Sequence, residues 1–259
     1  MIKEIIDKLV ALLAVSALLA SCSESELWQN PQTEARDGYI MLNFKTEIPA
    51  MQEVVTRAVD PDGGGVQDMT LFCFDSYGLF ISTVKAGVTV QKPGPGEMEG
   101  TFKAEVPENT RTIHFLANQN MDEFKEDSFR NKSESEVMAV LEGSSGRMIY
   151  WGRFACDAGN DSNIAEQMAT SGNSVKLIRN HARISVDNPD NNGHIVITGF
   201  AVCNTNAFGT VAPHHPKKGF DFTWPSSDDP FVTLPVNDAK MSDITDVTSS
   251  MNQYVFECE

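Results

Sequence analysis

The fold class predicted by the sequence is an all-β sandwich, and three observations predict it. Beyond a polar tether that runs to about Arg36, short segments alternate apolar and polar side chains at the two-residue period of a strand. Clusters of Gly, Asn, Asp and Pro break these segments at short intervals, the rhythm of a sandwich rather than of a helical bundle. A single segment combines helix caps with an apolar stripe.

The first strand opens with Tyr39-Ile40-Met41-Leu42-Asn43-Phe44, which places Ile40, Leu42 and Phe44 on one face, and Pro49 closes it. Asp60-Pro61-Asp62-Gly63-Gly64-Gly65 reads as an exposed loop, because consecutive glycines maximise chain entropy. Met69 to Asp75 has apolar side chains on both faces, the mark of a central strand, and Tyr77-Gly78 turns it into a hairpin with Leu79 to Val84. After the loop Lys92-Pro93-Gly94-Pro95-Gly96, the strand Gly100 to Val106 aligns Phe102, Ala104 and Val106. Thr110 to Asn118 then sets Ile113, Phe115 and Ala117 opposite His114 and Leu116.

The helix starts at Ser133, where Ser133-Glu134-Ser135-Glu136 spells a capping box. Val137, Val140 and Leu141 form its apolar stripe, and Gly143 ends it. Strands resume over 148–155, 174–187, 193–203, 231–236 and 253–257. Residues 207–227 carry Pro213, Pro216, Trp224 and Pro225 and read as an irregular functional or interdomain loop. No internal repeat is visible, which excludes solenoids and propellers.

The charge balance narrows the function. The chain carries 20 Lys+Arg against 36 Asp+Glu, a net charge of -16, which repels a polyanion and excludes a nucleic-acid partner. The 41% hydrophobic fraction is enough for a real core. After the N-terminus no apolar run approaches the roughly 20 residues that span a bilayer.

That N-terminus is an address. Lys3 and Lys8 precede an apolar run from Leu9 to Ala20, the pattern of an export signal, and the run ends Leu19-Ala20-Ser21-Cys22. Those four residues resemble a lipobox, in which the Cys thiol is acylated and becomes the first mature residue; ordinary secretory cleavage near Ser21 is the alternative. Each buried methylene of an acyl chain contributes about 0.8 kcal/mol, so several chains at Cys22 anchor the protein to a leaflet. Ser23-Glu24-Ser25-Glu26 resembles the tract that sends some lipoproteins to the outer face of the outer membrane. Cys73, Cys156, Cys203 and Cys258 are widely spaced singletons, read as mostly free, buried thiols.

No catalytic set emerges. There is no G-x-S-x-G elbow, and Gly143-Ser144-Ser145-Gly146 has the wrong spacing. The glycines at 63–65 and Gly94, Gly96 and Gly100 lack the Lys-Ser/Thr of a phosphate loop. His214 and His215 are adjacent and diverge in extended chain. Asn188-Pro189-Asp190-Asn191-Asn192-Gly193 approaches a calcium loop but has Gly199 where a bidentate Glu is needed, and a hairpin connection explains it. Arg179, His181 and Arg183 fall on one strand face, read as solvated or paired with acids. Trp28, Trp151 and Trp224 form either a glycan-stacking set or core and rim aromatics, and their separation by loops favours the second. The reading is a non-enzyme with no metal and no cofactor.

The order of five stretches resembles the fimbrillin family, lipoprotein subunits of type V pili. They are Leu19-Ala20-Ser21-Cys22; Thr56-Arg57-Ala58; Leu71 to Gly78; Thr112 to Asn118; and Leu177 to Val186, with Tyr254-Val255-Phe256-Glu257 as a further family-like strand. The resemblance implies a transthyretin-like Greek-key β-sandwich and lipidation at Cys22. It also implies proteolytic processing between Arg57 and Ala58, and assembly with other fimbrial subunits by strand addition once the strand over residues 38–47 is displaced.

The implied organisation is a signal peptide at 1–21, a polar tether at 22–37 and one sandwich domain at 38–259. The family's second sandwich and C-terminal donor segment are not evident, unless residues 231–259 supply the pairing strand. The implied role is an outer-surface structural, anchor or accessory pilus subunit, held in the outer membrane and meeting a host or bacterial receptor. The alternative is a monomeric glycan- or protein-binding surface lipoprotein that uses Trp224 and the 207–227 loop.

Overall fold

Alternating side chains and the breaks between them build two stacked sheets. The structure, a computed structural model, describes residues 35–47, 66–93, 98–119, 121, 124–144, 148–186, 197, 199–203, 205–206, 208–214, 219–220, 222, 239–240, 245–246 and 252–256. The strands of the sandwich are β1 (Tyr39–Glu47), β2 (Met69–Phe74), β3 (Phe80–Lys85), β4 (Gly87–Pro93), β5 (Met98–Pro107) and β6 (Thr112–Ala117). Helix α1 (Glu134–Met138), β7 (Glu142–Ser144), β8 (Tyr150–Ala155), α2 (Ile164–Thr170), β9 (Ser174–Lys176) and β10 (Ile178–Arg179) follow. One sheet has the order β4-β5-β1-β9 and the other β10-β8-β6-β2-β3. The predicted all-β sandwich is therefore the observed architecture.

The core lies between the sheets. Ile40, Leu42 and Phe44 of β1 and Phe102, Ala104 and Val106 of β5 meet Met69, Leu71 and Cys73 of β2 and Ile113, Phe115 and Ala117 of β6. Each set is one face of its strand, as the two-residue period requires. The five-stranded sheet is also covered on its other face, where Phe72, Phe74, Phe80, Leu116 and Trp151 pack under Phe129, Val137, Met138, Leu141, Val211 and Ala212. That double burial is why every residue of β2 and β6 is buried. Trp151 is thus a core residue.

Two short crossings join the sheets at opposite margins. β3 belongs to one sheet and β4 to the other, with only Ala86 between them, and the Ala86 N–H donates to the Met69 carbonyl. β9 and β10 are related in the same way through Leu177, which is fully buried. A Cβ on Gly152 of β8 would sit 2.6 Å from the Lys176 carbonyl oxygen and 2.8 Å from Leu177 Cδ2, so this crossing needs glycine beside it.

Several expectations change. The single strand foreseen over 174–187 is three: β9, β10 and β11 (Ala182–Ser185) lie in three different sheets, because the chain changes sheet at Leu177 and bends at Asn180. His181 consequently leaves the solvated face foreseen for it; it is buried, its ring stacking on Phe256 at 4.1 Å.

The helix after Ser133 forms with both capping-box bonds but stops at Met138; Val140 is exposed, and Gly143 lies in β7 instead of terminating a helix. Pairing of β7 with β14 (Phe208–Thr210), after β12 (Gly199–Phe200) and β13 (Thr205–Asn206), captures that segment in extended form. A second helix, α2, is longer than α1, and it too begins with a capping box, Asn163 to Glu166. Finally, within 207–227 the residues described do not form a free loop, since Val211, Ala212, Phe220 and Phe222 pack on the aromatic face of the five-stranded sheet.

The remaining strands are β15 (Ala239–Lys240), β16 (Thr245–Asp246) and β17 (Asn252–Val255), paired antiparallel with β13, β12 and β11. Residues 252–255 are therefore already engaged within the chain. Cys73 is free and buried, whereas Cys156 is half-buried and Cys203 exposed, so burial of the thiols is less general than foreseen. Among the described residues no helix is long and apolar enough to cross a membrane.

Candidate functional site: the seat of the first strand

β1 lies between two unequal neighbours. Along β5 it pairs antiparallel over eight residues, from Tyr39 opposite Pro107 to Thr46 opposite Gly100. Along β9 it pairs parallel over three, from Lys45 to Glu47. The Lys45 N–H donates to the Asn173 carbonyl at 2.7 Å, which turns the odd-numbered backbone groups of β1 away from β5. Met41 and Asn43 share that parity and precede the β9 pairing, so their outward backbone groups lie beyond the reach of β9.

Its inward face is deeply seated. Phe44 stacks on Phe102 with centroids 5.6 Å apart and meets Phe115 edge-on at 5.0 Å. Burying each of Ile40, Leu42 and Phe44 contributes about 1.5–3 kcal/mol. Thr46 is buried too, yet its hydroxyl has no hydrogen-bond partner. A Cβ on Gly100, opposite Thr46, would lie 2.4 Å from Phe102 Cε2, so the Phe102 ring occupies the space beside this glycine.

Polar contacts fasten both ends. At the start, the Arg36 N–H and Nε donate to the two Glu105 carboxylate oxygens at 2.6 and 2.8 Å, and the Arg36 guanidinium lies over the Tyr39 ring at 4.4 Å. The bond from the Arg36 backbone, reinforced by its side chain, holds the Glu105 carboxyl below its ordinary range. At the other end the Ser174 hydroxyl donates to Glu47 Oε1 at 2.6 Å, and the Leu177 N–H donates to the Glu47 carbonyl at 2.8 Å. Helix α2 closes the core nearby with Ile164, Ala165 and Met168.

The strand foreseen over 38–47 is thus in the sheet, at the position where its removal opens the core. The residues foreseen to act on it, Cys22, Arg57 and Ala58, lie outside the described residues, as do Trp28, Trp224, His215, Cys258 and the Asn188 to Gly193 segment. Sequence reasoning missed both fastenings, which join residues far apart in the chain. It also missed α2, whose capping box Asn163-Ile164-Ala165-Glu166 was a usable signal.

A second polar cluster lies on the other face of the five-stranded sheet. Trp151 Nε1 donates to His114 Nδ1 at 3.1 Å, so the imidazole proton sits on Nε2, which donates to Glu134 Oε2 at 2.8 Å. Arg153 grips the same carboxylate through Nε at 2.7 Å and Nη2 at 3.2 Å. Burial pushes the Glu134 carboxyl up, but the bonds from His114 and Arg153 overcome it and hold it at about 2. Burial lowers the pKa of His114 below the ordinary imidazole value, against the opposing pull of Glu134. These bonds join Glu134 of α1 to His114 of β6 and Arg153 of β8, so the relay fastens α1 to the sheet. Among the described residues no three His, Cys, Asp or Glu side chains converge as metal ligands would.

The sequence matches no family model and no curated protein. Solved structures do resemble it. A candidate cell adhesion protein from Parabacteroides distasonis superposes with a TM-score of 0.50 at 13% identity, over 84% of this chain and 70% of that one. A fimbrial assembly protein from the same organism gives 0.48 at 12% identity, over 85% and 78%. The tip fimbrial protein Mfa3 from Porphyromonas gingivalis, truncated at its C-terminus, gives 0.48 at 13% identity, over 85% and 68%. The likeness to the cell adhesion protein is one of fold, and it accords with the fimbrillin resemblance seen in the sequence.

Proposed function

We propose that this chain is a fimbrial subunit, structural, anchoring or accessory, carried on the outer membrane by lipid at Cys22 and joined to its neighbours by exchange of β1. Cleavage between Arg57 and Ala58 separates β1 from the body. A strand from another subunit then takes the vacated place, recovering the backbone bonds of β5 and β9 and the apolar contacts of Ile40, Leu42 and Phe44. Until that cleavage, the tether over residues 22–37 sets the distance of the body from the leaflet.

The observation that supports this reading is the seating of β1. It is the first of the described strands, it fills an inter-sheet groove with three large side chains, and every other strand of the two sheets follows it in the chain. Withdrawal of β1 therefore leaves the remaining strands connected as before.

The test is peptide mapping of the chain from purified native fibres. The expected mature N-terminus is Ala58, with Arg57→Ala leaving the chain uncut and absent from fibres. Fibres whose subunits retain residues 22–57 throughout would falsify the exchange.

A further inference from the structure

We propose that the end of the sandwich where β1 begins receives the body of the neighbouring subunit, with Tyr77, Leu79 and the carboxylate of Glu105 as its contacts. This inference rests on the exchange reading above and adds to it a surface and a direction.

The direction follows from strand polarity. An incoming strand that restores the lost bonds runs antiparallel to β5 and parallel to β9, as β1 does. Its first residue takes the place of Tyr39, and the chain leading into it leaves past the β2–β3 turn. Hydrogen bonds place the neighbouring turns at this end: Glu108 N–H donates to the Gly38 carbonyl at 3.0 Å, and Arg111 N–H to the Phe74 carbonyl at 2.8 Å. A donor whose strand follows its own folded body sits here.

The surface at this end fits a protein partner. Asp75 Oδ1 accepts from the Tyr77 and Leu79 N–H groups at 2.8 and 3.0 Å, and the Glu134 N–H donates to the Gly78 carbonyl at 3.2 Å. This turn is thus held while Tyr77 stands 86% exposed and Leu79 39%. A rigid, exposed aromatic loses little entropy on being covered, which is why such residues anchor interfaces. Among the described residues the opposite end presents charged and polar exposed side chains that include Glu47, Gln67, Asp68, Lys85 and Lys176.

Charge completes the match. Arg36 leaves with β1, which strips Glu105 of the cation it pairs with. The partner is therefore a subunit whose donor strand has alternating apolar residues preceded, a few positions earlier, by an Arg or Lys.

Two measurements test this. In the full-length chain expressed in its native bacterium, a photo-crosslinking residue at Tyr77 is expected to give adducts with the adjacent fibre subunit, and one at Lys85 none. Adducts at Lys85 alone, or equally at both, overturn the proposal. Second, Tyr77→Ser combined with Leu79→Ser is expected to lower incorporation into fibres at least about tenfold. A fluorescent peptide of residues 38–47 should meanwhile bind the Arg57-cleaved double variant as well as it binds the Arg57-cleaved parent. Unchanged incorporation overturns the proposal while leaving exchange intact; failure of the peptide to bind either protein removes the exchange reading itself, and this inference with it.

Discussion

Thr46 is the one inward side chain of β1 that brings a polar group into the core without a partner. A buried hydroxyl left unsatisfied costs about 1–3 kcal/mol, whereas an apolar group of the same shape costs nothing there. Thr46→Val is therefore expected to raise stability by about 1 kcal/mol in urea unfolding. Under the proposed exchange it should also slow release of β1 from the cleaved chain. His181 makes a second residue-scale prediction. Burial lowers its pKa to about 4, from an ordinary value near 6.5. Between those values the unfolded chain binds the proton and the folded chain does not, so stability rises with pH across that window. His181→Gln is expected to flatten the slope between pH 4 and 6.5, measured by denaturant midpoints at a series of pH values. Neither property was readable beforehand: alternation places Thr46 inward, but whether its hydroxyl finds a partner depends on β5, and His181 appeared solvated because the bend at Asn180 has no sequence mark of its own.

Among the elements, α1 is too short to persist by its own propensity and depends on its fastening. Glu134 opens this helix and binds both Arg153 and His114. Glu134→Ala leaves those donors facing a half-buried gap and is expected to cost about 2–3 kcal/mol in chemical denaturation, with Glu134→Gln costing less. The folded carboxyl lies at about 2, below its unfolded value near 4.3, so this contribution is complete above the unfolded value and fades as pH falls towards 2. The strands β1, β5 and β6 were legible from their two-residue alternation, and β2 from apolar side chains on both of its faces. The division of 174–187 was not, since the alternation continues across Leu177 while the partner sheet changes. Partner choice is a tertiary property. The α1 stripe misled for the reverse reason: Val140 keeps helical spacing, but pairing of β7 with β14 pulls the following residues into extended chain.

At the scale of the whole molecule, the fold class and the first strand followed from periodicity, while the two ends of the seat did not. Arg36 and Glu105 are separated by 69 residues, and Glu47 and Ser174 by 127, distances over which spacing carries no signal. The crossings at Ala86 and Leu177 have a mechanical consequence. Each sheet is stitched covalently to the other at both margins, so tension along the sandwich cannot peel one layer from its partner. A strand lying where β1 lies, parallel to such a pull, must fail by shearing its whole ladder at once instead of unzipping bond by bond. A chain of units joined in that way bears load at the joints about as well as within each unit.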